Sequence, residues 1–162
     1  MPFYHQLGKI PPKRHTQFRK EDGTLHYEQL FGTIGFVGMS SLLYHLHRPT
    51  MVKRVGQSVD VRPQAAVENN LLSRKLEGFQ VKPNEDYLKS RVPVLFNSDV
   101  TILLSAPSKS MAEDAFYKNS DGDEVVFVHE GAGTLHTMLG QIPFSAGDYL
   151  VIPRGIIHRF AF

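Results

Sequence analysis

Between Phe116 and Phe162 clusters of turn-forming residues recur every few positions and cut the chain into short apolar pieces. Asn119 to Asp123 precedes the run Val125–His129, and Gly131-Ala132-Gly133 follows it. Thr134–Leu139 reads as the next strand, Gly140-Gln141 as a tight turn, and Ile142–Phe144 as a third strand. Ala146-Gly147-Asp148 turns into Tyr149–Pro153, and Pro153-Arg154-Gly155 turns into Ile156–Phe162. Strands this short, at this spacing, predict an antiparallel sandwich or small barrel. Phe127, Leu135, Leu139, Tyr149, Val151 and Ile156 are the expected core. Val125, Phe127 and His129 alternate with Val126 and Val128, which predicts a strand partly buried on both faces.

The bulk properties agree with one globular domain. The chain has 162 residues, enough for one sizeable core. Its net charge of +2 points to no particular partner, and neither nucleic acid nor membrane is expected. There is no cysteine, so no disulfide holds it. No apolar segment approaches the length of a membrane span, and MPFYHQLGKIPPKRH has no apolar signal core, so the expected location is cytoplasmic.

Upstream the pattern is weaker. Residues 1–23 hold Pro2, Pro11 and Pro12 with a basic run from Lys9 to Lys20, and read as an irregular arm ending in a Glu21-Asp22-Gly23 turn. The β domain is expected over 24–162. Tyr27–Phe31, Ser41–His47, Gln57–Arg62, Val94–Phe96 and Val100–Ser105 read as strands, and Phe79–Lys82 as a short one. Val67, Leu71, Leu72 and Leu76 fit one face of a helix, and Met111–Asp114 fits one helical turn. Pro83 to Arg91 reads as a polar loop. His45 and His47 stand two apart and would share a strand face, but no third ligand accompanies them. Asn119 to Asp123 lacks the spacing and final Glu of a calcium loop and reads as a turn built on local side-chain hydrogen bonds. Dinucleotide, P-loop, zinc-protease and serine-elbow motifs are absent.

Two spacings in the final third carry a resemblance. Glu124 is followed by six residues and Gly131; Gly147 is followed by five residues, Pro153, one residue, Gly155, two residues and His158. Together they resemble the paired motifs of the cupins, a double-sheet jelly roll. That resemblance places Glu124 and His158 at metal-ligand positions of the barrel. The cupin pattern also carries a His-x-His pair shortly before its Glu. The corresponding positions here are Tyr117 and Asn119, or Lys118 and Ser120, none of them imidazole. An incomplete ligand set of this kind predicts no bound metal, with His158 an ordinary strand histidine.

Several further segments, in this order, resemble the amino-terminal half of homogentisate 1,2-dioxygenases of the bacterial type. They are Leu25–Gly32, Ser41–Tyr44, Phe96–Val100, Phe116–Glu124 and Gly147–Gly155. The resemblance implies an intracellular, oligomeric enzyme of tyrosine and phenylalanine catabolism. It would use Fe(II) and molecular oxygen to open the ring of homogentisate to maleylacetoacetate. Chains of that family are more than twice this length, and their iron ligands and catalytic histidine belong to a carboxy-terminal cupin half. No position here matches those residues, so no catalytic, cofactor-binding or metal residue carries over.

The expectation is therefore a degenerate first cupin with a structural role, from a truncated product, a fragment or an incomplete record. Phe160 and Phe162 would face the missing half, and the isolated chain would dimerise or aggregate. Two alternatives stay open. One is a free-standing cupin that binds a small molecule without metal. The other is a small metal-dependent cupin enzyme using Glu124, His129, His136 or His158.

Overall fold

The computed structural model describes residues 17–58, 60–67 and 72–162, with only the backbone at Thr33. It is built from antiparallel strands and a single 3₁₀ turn, with no α-helix among the described residues. The chain forms two compact units, Met1–Arg54 and Val55–Phe162.

The first unit is a hairpin of β1 (Tyr27–Ile34) and β2 (Val37–His45), closed by Gly35-Phe36. Gly35 has a φ of 52°, a left-handed conformation that glycine adopts at no steric cost. Cross-strand side chains lock the register: the Tyr44 hydroxyl donates to Glu28 at 2.9 Å, and His45 Nε2 lies 2.8 Å from Gln29 Oε1. Of the arm expected over 1–23, residues 1–16 lie outside the described residues. Its end is the predicted turn, where the Asp22 carboxylate accepts from the Thr24 amide and hydroxyl.

In the second unit β3 (Arg91–Phe96) pairs with β4 (Thr101–Ser105). β5 (Glu124–Phe127) pairs with β8 (Tyr149–Ile152). β6 (Ala132–Thr137) stands between β7 (Gly140–Ser145) and β9 (His158–Ala161). Every pair is antiparallel, as the short, evenly spaced strands predict.

The core differs from the expected one. Leu135 and Ile156 are buried as predicted, with Val128, Phe144, Leu150, Ile152, Phe160, Tyr87 and Met111. Phe127, Tyr149 and Val151 are at least half exposed. The cause is the register of β5 on β8: Val125 faces Val151 and Phe127 faces Tyr149 on one side, and this side is open. Leu150 and Ile152 point the other way and are buried. Only one face of the Val125–His129 strand is covered, not two. Leu139 is exposed because it belongs to a two-residue turn, Met138-Leu139, rather than to a strand. The turn therefore lies two residues before the predicted Gly140-Gln141. Phe160 is also reassigned: it is 2% exposed and packs on Tyr87 at 4.1 Å, so it belongs to the core.

Other boundaries move as well. The helical reading of Val67 to Leu76 fails at 64–67 and 72–77, which carry no regular structure; 68–71 lie outside the described residues. Gln57–Arg62 is not a strand in its described residues, and Phe79–Lys82 is replaced by the 3₁₀ turn Gly78–Gln80. Met111–Asp114 makes no helix; the Ala115 amide donates to the Ala112 carbonyl across a turn there.

Candidate functional site

Four side-chain donor contacts meet at the carboxylate of Glu124, the first residue of β5. Arg91, the first residue of β3, reaches it with both arms of its guanidinium: Nη2 donates to Oε2 at 2.9 Å and Nη1 to Oε1 at 3.2 Å. Asn119 Nδ2 donates to Oε1 at 3.0 Å, and the Tyr87 hydroxyl approaches Oε2 at 3.5 Å. The Arg91 and Glu124 side chains are only 17% and 12% exposed. A bidentate pair of this kind is the strongest common form of the interaction.

Local structure places each member. Asp86 accepts from the Leu88 and Lys89 amides, closing the turn that carries Tyr87 to the head of β3. Asn119 Oδ1 accepts from the Asp121 and Gly122 amides, the turn predicted from sequence, which leaves its amide group free to serve Glu124. The Gly155 amide donates to the Asn119 carbonyl at 2.7 Å, and the Arg154 amide to Asp123 at 2.8 Å. The two cupin-like motifs are thus fastened to each other.

Tyr117 and His158 exchange both backbone hydrogen bonds at 2.9 Å, and their rings meet edge-on at 5.4 Å. His158 is fully buried. Its Nδ1 lies 3.0 Å from the Ile156 carbonyl, which can only accept, so Nδ1 carries the proton. Its Nε2 has no hydrogen-bond partner among the described residues. The Arg91 guanidinium lies over two rings, 4.4 Å from Tyr87 and 5.1 Å from Tyr117.

The charges are set by this packing. Burial works against an ionised Glu124, but Arg91 and Asn119 outweigh it and hold the carboxyl below its ordinary range. Burial likewise opposes the Arg91 charge, and Tyr87 and Glu124 outweigh it, so the guanidinium stays above its usual value. The Tyr87 phenol is pushed up to about 12, first by burial, with Arg91 opposing and Glu124 adding. Tyr117 is also raised, by burial and then by Glu124.

Of the two possible alignments of the missing His-x-His pair, the fold selects Tyr117 and Asn119, which turn toward Glu124 and His158; Lys118 and Ser120 are exposed. Tyr117, Asn119, Glu124 and His158 therefore converge. The other histidines do not join them. His129 is exposed beyond β5 beside Phe79. His136 pairs with Arg159 across β6 and β9, one register step from the pair Thr137 and His158, so it faces the opposite side of the sheet. His45 is bonded to Gln29, and His47 lies beyond the end of β2, so the two do not form a strand-face pair. Arg91 and Tyr87 were not visible as site residues. Both fall inside the run Pro83 to Arg91 that reads as a polar loop, although Arg91 in fact heads the strand Arg91–Phe96.

As a metal site this donor set does not fit. Two metal-donor side chains converge, the carboxylate is already bonded on both oxygens, and no cluster of three His, Asp or Glu exists among the described residues. The arrangement can hold an internal charge pair and tie the segments 87–91, 117–124 and 158 together.

Comparison with known proteins places the chain in a family. The family described as "Homogentisate 1,2-dioxygenase N-terminal" matches residues 51–162. The protein named "Putative dioxygenase SSO1533" of Saccharolobus solfataricus is 36% identical over 162 residues, which is 100% of this chain and 42% of that protein. "Homogentisate 1,2-dioxygenase" of Emericella nidulans is 38% identical over 58 residues, 36% of this chain and 13% of that protein. The chain thus spans less than half the length of these relatives. No solved structure matches it. With that family's pattern running from residue 51 to residue 162, through Arg91, Glu124 and His158 alike, the chain belongs to the homogentisate 1,2-dioxygenase N-terminal family.

Proposed function

We propose that this chain is the amino-terminal scaffold of a homogentisate 1,2-dioxygenase-like enzyme of the cytoplasm. That enzyme opens the ring of homogentisate with molecular oxygen to give maleylacetoacetate, in tyrosine and phenylalanine breakdown. The Fe(II) such chemistry requires is held by residues outside this chain, in a carboxy-terminal cupin half. The observation that carries the reading is the state of Glu124. Its carboxylate is spent on Arg91 and Asn119, inside a match to the amino-terminal family.

The open face of β5 and β8, with Val125, Phe127, Tyr149 and Val151, is the surface we assign to that second half. A contiguous apolar face of this kind is characteristic of an interaction surface. The Saccharolobus solfataricus relative, aligned along all of this chain, is covered to only 42%, so more than half of that protein is further polypeptide of the kind we assign to this face.

The test is anaerobic reconstitution with Fe(II), followed by oxygen uptake with homogentisate. The chain alone is expected to give no turnover. Turnover is expected when the separately expressed carboxy-terminal part of a longer relative is added. Turnover by the chain alone, lost in a His158→Ala variant, would overturn the reading.

A further inference from the structure

The ligand positions of the cupin pattern and the side chains that fill them here disagree in a specific way. Tyr117 and Asn119 stand where the resembled cupin pattern carries two imidazoles, yet Glu124 stays ionised and bonded to Asn119. A carboxylate so little exposed needs a cation, because an unpaired buried charge is strongly destabilising. We propose that the Arg91 guanidinium is the resident cation of this site. It does what a metal ion would otherwise do: it neutralises Glu124 and binds two chain segments into one core.

The shape of the site favours a guanidinium over a metal. Both carboxylate oxygens are engaged in parallel by the two arms of Arg91, the geometry a planar fork supplies and a point charge does not. Two tyrosine rings lie against the same guanidinium, at 4.4 Å and 5.1 Å, and a delocalised cation gains from ring faces. Asn119 presents its amide donor to Glu124 Oε1, a group suited to sharing a carboxylate with an organic cation rather than to ligating a metal. Arg91 stands 33 residues from Glu124, so the pair joins the head of β3 to the head of β5, two sheets with no ladder between them.

It follows that truncating Arg91 leaves a site complementary to a free guanidinium ion. Thermal unfolding of purified variants tests this. Arg91→Ala is expected to melt on the order of 10 °C below the wild type. Guanidinium chloride at millimolar concentration, far below denaturing levels, is expected to raise the melting temperature of Arg91→Ala by several degrees and to leave the wild type unmoved. Equal sodium chloride or urea is expected to do neither.

Should Arg91→Ala fail to fold, the double variant Arg91→Met with Glu124→Gln decides the matter. Removing both charges is expected to give a melting temperature above that of either single variant. Additive losses in the double variant, or no selective response to guanidinium, would overturn the proposal. So would stabilisation of Arg91→Ala by zinc and not by guanidinium. The readout is stability without substrate, so it stands or falls independently of the homogentisate assignment.

Discussion

Gly133 on β6 lies so close to Ala161 on β9 that a β-carbon at Gly133 would collide with the Ala161 carbonyl oxygen; on its other side it would come within 2.8 Å of Phe144 Cζ. The glycine is there for space, since its φ is not positive. Gly133→Ala is expected to cost about 2–3 kcal/mol, by forcing the backbone of β9 and the Phe144 ring apart. Gly122→Ala, where a β-carbon meets nothing within 4 Å, is the control and is expected to change stability by less than about 0.5 kcal/mol. Urea unfolding of the two variants checks this.

Acid should act through Glu124. Its folded-state pKa is below the unfolded value, so its contribution to stability is fully present above the ordinary carboxylate range. That contribution is lost as pH falls through the folded value. As pH falls below the ordinary carboxylate range the wild type is expected to lose more stability than Glu124→Gln, which has no such proton to take up. At pH 7 Glu124→Gln is expected to be less stable than the wild type by about 3 kcal/mol, because Arg91 is left without its counter-ion. Unfolding free energies measured at several pH values would show the two curves converging in acid.

Base should act through Tyr87. Its folded pKa is about 12, above the unfolded value, so the stability it contributes is complete below about pH 10 and is lost as pH rises toward 12. In a spectrophotometric titration of the folded chain near 295 nm, Tyr87 is expected among the last phenols to ionise. Tyr87→Phe should remove a step near pH 12 and leave the earlier ones in place.

The open face of β5 and β8 should behave as an interface. Tyr149→Lys combined with Val151→Thr is expected to leave the melting temperature of the isolated chain within about 3 °C of the wild type, because both side chains are exposed. The same changes are expected to abolish capture of the separately expressed carboxy-terminal part of a longer relative. Sedimentation of the mixture reads this directly. Unchanged capture would move the interface elsewhere, and loss of self-association alone would make the occupant a second copy.

The strand pattern was legible at the corners that Gly147 and Gly155 mark. Gly147 and Gly155 both have positive φ, at 95° and 85°, and both stand where the sequence places a turn. The Met138-Leu139 turn was not legible, because neither residue is a turn former. Thr137 closes it instead: its hydroxyl donates to the Gly140 carbonyl at 2.9 Å and accepts from the Leu139 amide at 3.0 Å. Alternation along β5 and β8 showed apolar residues on both faces but not which face the rest of this unit covers, since a covered and a waiting face are written alike. Glu124 and His158 were legible as site positions from their spacing. Arg91 was not, because its partner is 33 residues away and no local pattern announces a long-range charge pair.

The strand pairs of the final third are nested. Met138-Leu139 closes the β6–β7 hairpin, and the pairing of Phe127 with Tyr149 encloses that hairpin whole. Once the hairpin exists, the effective loop between β5 and β8 is much shorter than the chain between them, and the entropy of closing it falls accordingly. Assembly should therefore run outward from the Thr137 turn, with β8 joining β5 only after β6 and β7 have met. In stopped-flow experiments Thr137→Ala is expected chiefly to slow refolding, whereas Ile152→Val is expected chiefly to speed unfolding. A single threonine hydroxyl in a hairpin turn would then set how quickly β5 and β8 can meet.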